Sequence, residues 1–119
     1  MGLRIRVSAF FGALAILLGA FGAHIASHKL SESAYEIYRT ASQYHLIHAV
    51  FLFAALQWKC RNSTYYLILA GTCLFSGSLY IYSCMPVHFL VFLTPIGGLL
   101  MVAGWLSLLA GPENAGQSR

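Results

Sequence analysis

Four apolar runs, at residues 7–26, 41–58, 64–83 and 89–109, take up most of this chain of 119 residues. Each approaches the ~20 residues at which an α-helix, rising 1.5 Å per residue, crosses the roughly 30 Å hydrocarbon core of a bilayer. Little polar sequence is left over: 59% of residues are hydrophobic and 8% charged, against about 25% charged in soluble domains. The expected fold is an all-α integral membrane protein in a lipid bilayer, with four transmembrane helices in an up-down-up-down bundle and a short interfacial helix between the first and second. One domain, residues 1–110, exhausts the length, and no separate soluble catalytic domain fits. Residues 111–119 are expected to form a disordered cytoplasmic tail.

Charge is sparse. Seven Lys and Arg against three Asp and Glu leave a formal +4, too few and too scattered for a nucleic-acid footprint, so no nucleic-acid partner is expected. The basic residues read as topology signals. Arg4, Arg6, Lys59, Arg61 and Arg119 fall on one side of the four runs, and Lys29 and Arg39 on the other. That imbalance puts both termini inside. Cys60, Cys73 and Cys84 have no zinc-type spacing and imply neither a disulfide framework nor a structural zinc site.

The first run, behind Arg4 and Arg6, is longer than the roughly 7–15 residues of a signal h-region and reads as a retained span. Gly12, Gly19 and Gly22 recur along it with Ala15, Ala23 and Ala26 near the same stripe, a smooth face for another helix. Gly77, Gly97 and Gly98 are expected to serve packing in the third and fourth runs. Between the first two runs, His28, Lys29, Glu32, Glu36 and Arg39 mark the largest extramembrane piece, with Ser33 and Glu36 as a capping box opening the interfacial helix. Pro95 is expected to start the last helix or to kink it.

The anomaly is polar residues inside apolar runs. His45 and His48 sit i, i+3 in the second run behind Gln43 and Tyr44, and ionisable groups in such segments are costly. With the topology above, His24, His28, His45, His48 and His88 all fall in the outer half. Ser76, Ser78 and Thr94 come to about the same depth. The expectation is one polar pocket there, lined by His24, Gln43, His45, His48, Ser76, Ser78 and Thr94. Three readings of it compete. It is a set of interhelical hydrogen bonds, each worth about 0.6 kcal/mol. It is a metal or haem site using His24, His45 and His48, with copper also offered Cys84, Met85 and His88. Or it binds a small molecule, a lipid headgroup or proton-relay water. Covalent catalysis finds little support, since Ser76 and Ser78 lack a GxSxG context and the spans hold no carboxylate to orient a histidine.

Four stretches, LGAFGAH at 18–24, TASQYHLIHA at 40–49, LFSGSLY at 74–80 and LTPIGGLLMVAGW at 93–105, resemble domain of unknown function 423. That family includes YgdD-like and transmembrane-protein-256-like small membrane proteins. The resemblance covers nearly all of the chain except the ends and implies a four-span protein of a bacterial inner membrane; it implies no activity. The matching positions include His24, Gln43, Tyr44, His45, His48, Ser76, Gly77, Ser78, Tyr80, Thr94, Pro95, Gly97 and Gly98, which overlap the polar cluster. His28, Cys84, Met85 and His88 lie outside the match. The functional expectation is a non-enzymatic protein with no cofactor, acting by binding or as an accessory or assembly subunit of a larger membrane complex or a homo-oligomer. The runner-up is a metal- or haem-binding protein. A small transporter is the third reading; it needs an oligomer, because no inner-half polar residues complete an aqueous path in one copy.

Overall fold

The computed structural model describes residues 2–112, so most of the tail expected at 111–119 lies outside the described residues. Helix α1 (Leu3–Phe21) does not stop at Phe21. It widens into one π-helical turn, Gly22–Ala26, and ends on a last turn, Ser27–Lys29. The ring of Tyr38 explains the glycine at this junction, because a Cβ on Gly22 would lie 2.5 Å from Tyr38 Cε1. The Tyr38 hydroxyl donates to the Leu18 carbonyl, which the Gly22 N–H also approaches. A neighbouring side chain is thus bonded where the regular ladder gives way to the wider turn.

Helix α2 (Glu32–Gln57) opens at Ser31, whose extended backbone and side chain cap it by accepting from the Ala34 N–H at 3.2 Å. The cap therefore falls two residues before the expected Ser33. With no Gly or Pro from 32 to 57 to interrupt it, the helix runs on unbroken. The segment expected as a short interfacial helix runs without a break into the second apolar run and forms the first turns of α2. At its far end Lys59 takes the left-handed conformation (φ 58°). Its N–H donates to the Leu56 carbonyl at 3.1 Å, and the Cys60 N–H to the Ala55 carbonyl at 3.0 Å. This is a Schellman turn closed without glycine. It brings Cys60 into a buried cluster with Leu52, Ala55, Tyr65 and Ile68.

Helix α3 (Asn62–Cys84) and helix α4 (Phe89–Ser107), extended by a 3-10 turn at Leu108–Ala110, complete the fold. Pro95 lies inside α4, not in its first turn. Arg4 donates to the Asn62 side-chain carbonyl at 2.6 Å, so α3 begins beside the beginning of α1. Thr64 at the start of α3 meets Ser107 at the end of α4. Successive long helices therefore alternate in direction, and Arg4, Arg6, Lys59 and Arg61 gather at one end of the molecule, the basic end. The described residues contain no strand. The rods Leu3–Lys29, Asn62–Cys84 and Phe89–Ala110 are long and apolar enough to cross a membrane, and the chain is an all-α membrane protein. Helix α2 is not among these three, its apolar half being diluted by Gln43, Tyr44, His45 and His48.

The closest approach in the fold is between α3 and α4. A Cβ on Gly71 would stand 2.7 Å from the Met101 nitrogen and 2.8 Å from the Gly97 carbonyl oxygen. One on Gly97 would meet the Gly71 carbonyl at 2.7 Å, and one on Gly104 would meet Ile68 Cδ1 at 2.6 Å. Of the glycines expected to serve packing, Gly22 and Gly97 sit at such contacts. A Cβ on Gly19 would lie 3.4 Å from Ser42 Oγ, one on Gly98 3.7 Å from the Phe75 ring and one on Gly12 4.0 Å from Ala49 Cβ. Gly77 faces open space, with nothing within 4 Å, so no packing role falls to it. Gly71 and Gly104 carry contacts that the spacing of residues did not single out. Gly71→Ala and Gly97→Ala are expected to destabilise the protein in detergent micelles by about 1–3 kcal/mol, as overpacking does. Gly77→Ala is expected to leave it unchanged or slightly more stable. Thermal unfolding of the three variants checks the contrast.

Candidate functional site

The two histidines of α2 leave its axis in different directions and find different partners. His45, 3% exposed, turns toward α1 and α3. Its Nε2 lies 3.1 Å from the Phe11 carbonyl and its Nδ1 3.0 Å from the Tyr80 hydroxyl. A carbonyl only accepts, so Nε2 carries the proton and, in the neutral ring, Nδ1 accepts from Tyr80. His48, 5% exposed, turns toward α4. Its Nδ1 donates to the Tyr44 carbonyl at 2.8 Å, and its Nε2 accepts from the Trp105 indole N–H at 3.1 Å. The rings are opposite tautomers, and all four nitrogens are engaged.

The hydroxyls are shared out in the same way. Ser76 donates across to the Ala41 carbonyl of α2 at 2.8 Å. Ser78 and Thr94 join α3 to α4 at 2.6 Å; with one proton each, one hydroxyl donates across and the other donates to a carbonyl of its own helix, Phe75 or Leu90. Two more links lie near the basic end, and sequence reasoning missed both. Ser107 donates to the Gly104 carbonyl and accepts from Thr64, each at 2.6 Å. Tyr65 donates to the Arg4 carbonyl and accepts from Ser8, each at 2.9 Å. Ser8, Thr64 and Tyr65 are all nearly inaccessible. A hydroxyl near the same end of each of three runs was the available signal.

The expected pocket at one depth does not assemble. His24 sits exposed on the π turn and Gln43 exposed on α2; neither faces His45 or His48. His48 belongs nearer the basic end, level with Trp105, three residues inside the last turn of α4. Polar pairs are instead strung along the length of the molecule, from Thr64 and Ser107 at one end to Tyr38 and Leu18 toward the other. The metal reading loses its ligand set for the same reason: His24 stands apart, and ligation by His45 or His48 would break hydrogen bonds already made. No group of three His, Cys, Asp or Glu side chains that could hold a metal ion forms among the described residues. The exposed Cys84, Met85 and His88 lie at the turn before α4, away from both buried histidines.

Two grooves flank this string. A cavity of about 180 Å³ opens between α1 and α3 over His45, with Leu14, Leu18, Ser76 and Tyr80 in its walls. A larger one of about 520 Å³ runs between α2 and α4, from Tyr44 and Phe75 past Gly98 and Leu99 to His48 and Trp105. In each, the histidine presents a ring whose nitrogens are occupied, so the walls act as apolar surface. Pairwise substitution separates the links from their surroundings. The cycle of His48→Phe with Trp105→Phe, and that of His45→Phe with Tyr80→Phe, are each expected to give a coupling of about 0.6–1.7 kcal/mol in micelle unfolding. His24→Ala is expected to change stability by less than about 0.5 kcal/mol.

No solved structure matches this chain. Among curated proteins it is 38% identical over 103 residues to the UPF0382 membrane protein YwdK of Bacillus subtilis, covering 81% of this chain and 84% of that one. It is 35% identical over 112 residues to a UPF0382 membrane protein of Haemophilus influenzae, covering 90% and 88% of the two chains. The UPF0382 inner membrane protein YgdD of Escherichia coli is 32% identical over 110 residues, at 87% and 84% coverage. Residues 18–98, which hold His45, His48, Ser76, Ser78 and Thr94 but not Trp105 or Ser8, match the family model described as Protein of unknown function (DUF423), and the chain belongs to that family.

Proposed function

We propose that this is a four-span inner-membrane protein with both termini in the cytoplasm, and that it acts by binding a membrane amphiphile in the groove between α2 and α4. The fourth crossing is supported by connectivity. Helix α1 leads away from the basic end while α3 starts beside Arg4, so the chain returns along α2. Orientation is supported by the basic residues gathered at one end, which the positive-inside rule assigns to the cytoplasm. A reporter active only in the cytoplasm, fused after Arg119, is expected to be active. Activity of an exported reporter alone at that position would overturn the orientation.

The observation that carries the binding reading is the groove of about 520 Å³ itself. It lies within the usual range for ligand sites and is mostly apolar, with a few polar groups along it. It faces lipid along its length, which suits an acyl or isoprenoid chain. Binding is favoured over catalysis because the imidazole nitrogens, Ser76 and Ser78 are all bonded within the protein, and none is poised as a base or nucleophile. Gly98 offers a clean test, since a Cβ there makes only ordinary contact with the Phe75 ring, at 3.7 Å. Gly98→Leu fills the groove without disturbing the helices. Native mass spectrometry of gently extracted protein is expected to show one amphiphile bound near stoichiometry, falling about tenfold in Gly98→Leu. Equal lipid retention by both proteins would overturn the groove as the binding site.

A further inference from the structure

Among the described residues, the Gln43 amide lies deep in the spans with no hydrogen-bond partner. Its depth follows from its neighbours. Ser42 lies against Gly19, His45 bonds to Phe11 and Ser76 to Ala41, so Gln43 sits level with the middle of the α1 apolar run. At that level its amide is exposed and forms no hydrogen bond with the described residues. Two donors and two acceptors facing hydrocarbon are costly.

The same face of α2 carries a pattern. From Gln43 the exposed positions step to Ile47, Val50, Ala54 and Gln57, alternating four and three residues apart. That is the heptad spacing of a helix that packs along a left-handed seam. Ile47 is 57% exposed and Val50 63%, so none of the described residues covers the seam there. Beside it, Ala9, Gly12 and Ala13 of α1 leave a trough of about 400 Å³ with room for a flanking side chain of an approaching helix.

The geometry points to a second copy of this chain as the occupant: a parallel two-fold dimer in which α2 packs against α2 and the two Gln43 amides bond to each other. Copies inserted with one orientation are related by an axis along the membrane normal, so equivalent residues of α2 meet at equal depth. An amide carries both donor and acceptor and is therefore complementary to itself across that axis, while a single polar position in an apolar seam fixes register. One step further along the same spacing, past Thr40, lies Glu36. It is already within 3.5 Å of Arg39 in its own chain, so the seam does not set two bare carboxylates against each other. This dimer is independent of the groove between α2 and α4, which lies on the other side of α2.

Cysteine crosslinking in native membranes tests it, with Cys73 and Cys84 replaced by serine and the buried Cys60 kept. Ile47→Cys is expected to give a covalent dimer on oxidation, and Phe92→Cys, on the lipid-exposed face of α4, none. Gln43→Leu, apolar at an exposed position and so compatible with the fold, is expected to weaken dimerisation about tenfold. The proposal is overturned by equal crosslinking at both sites, by none at either, by an adduct with a different protein, or by an undiminished dimer in Gln43→Leu.

Discussion

A hydroxyl, an indole N–H or an imidazole held in hydrocarbon has no water to turn to, so its partner comes from its own helix or from the next. That constraint organises this fold more than apolar burial does, since lipid is as apolar as any core. Each pair of packed helices holds at least one such link: Tyr38 to Leu18 and His45 to Phe11 between α1 and α2, Ser76 to Ala41 between α2 and α3, Ser78 to Thr94 between α3 and α4. His48 and Trp105 tie α2 to α4, and Ser8 with Tyr65 ties α1 to α3. One link adds about 0.6 kcal/mol. Together they specify which helices neighbour one another and in what register.

Link chemistry follows helix spacing. Between α3 and α4, glycines at 71, 97 and 104 bring the backbones together, and hydroxyl pairs then reach across at 2.6 Å. Between α1 and α2 the links are a phenol and an imidazole, side chains long enough for a wider gap. Gly22 is the exception that makes the rule physical. It gives up its Cβ to a ring, not to a backbone, and the helix widens there into a π turn. Where a groove remains, between α2 and α4, a histidine and a tryptophan bridge it near one end and leave the rest to lipid.

The helical fold and the alternating direction of the helices were legible in the apolar runs and in the placement of Arg and Lys. Ends of elements were less so. Ser33, with Glu36 three residues on, was the cap the sequence favoured, and it is the extended backbone at Leu30 and Ser31 that moves the cap to Ser31. The histidines were legible as an anomaly but not as a site. An i, i+3 pair lies about 60° apart on the helix, enough for His45 to reach α1 and α3 while His48 reaches α4. Assigning both to one pocket required knowing which neighbours flank α2, and an apolar run does not say which other run it packs against. Gln43 was grouped with the histidines because it precedes them; its direction, outward along the seam with Ile47 and Val50, separates it from them.

Both buried histidines are hydrogen-bonded links, with all four ring nitrogens engaged. Solid-state NMR of imidazole-¹⁵N-labelled protein in bilayers reads this directly, with His45→Phe and His48→Phe assigning the signals. Opposite tautomers, the proton on Nε2 of His45 and on Nδ1 of His48, each in a hydrogen-bonded environment, are expected. A shared tautomer, a doubly protonated ring, or a metal-shifted nitrogen at either position would contradict the account.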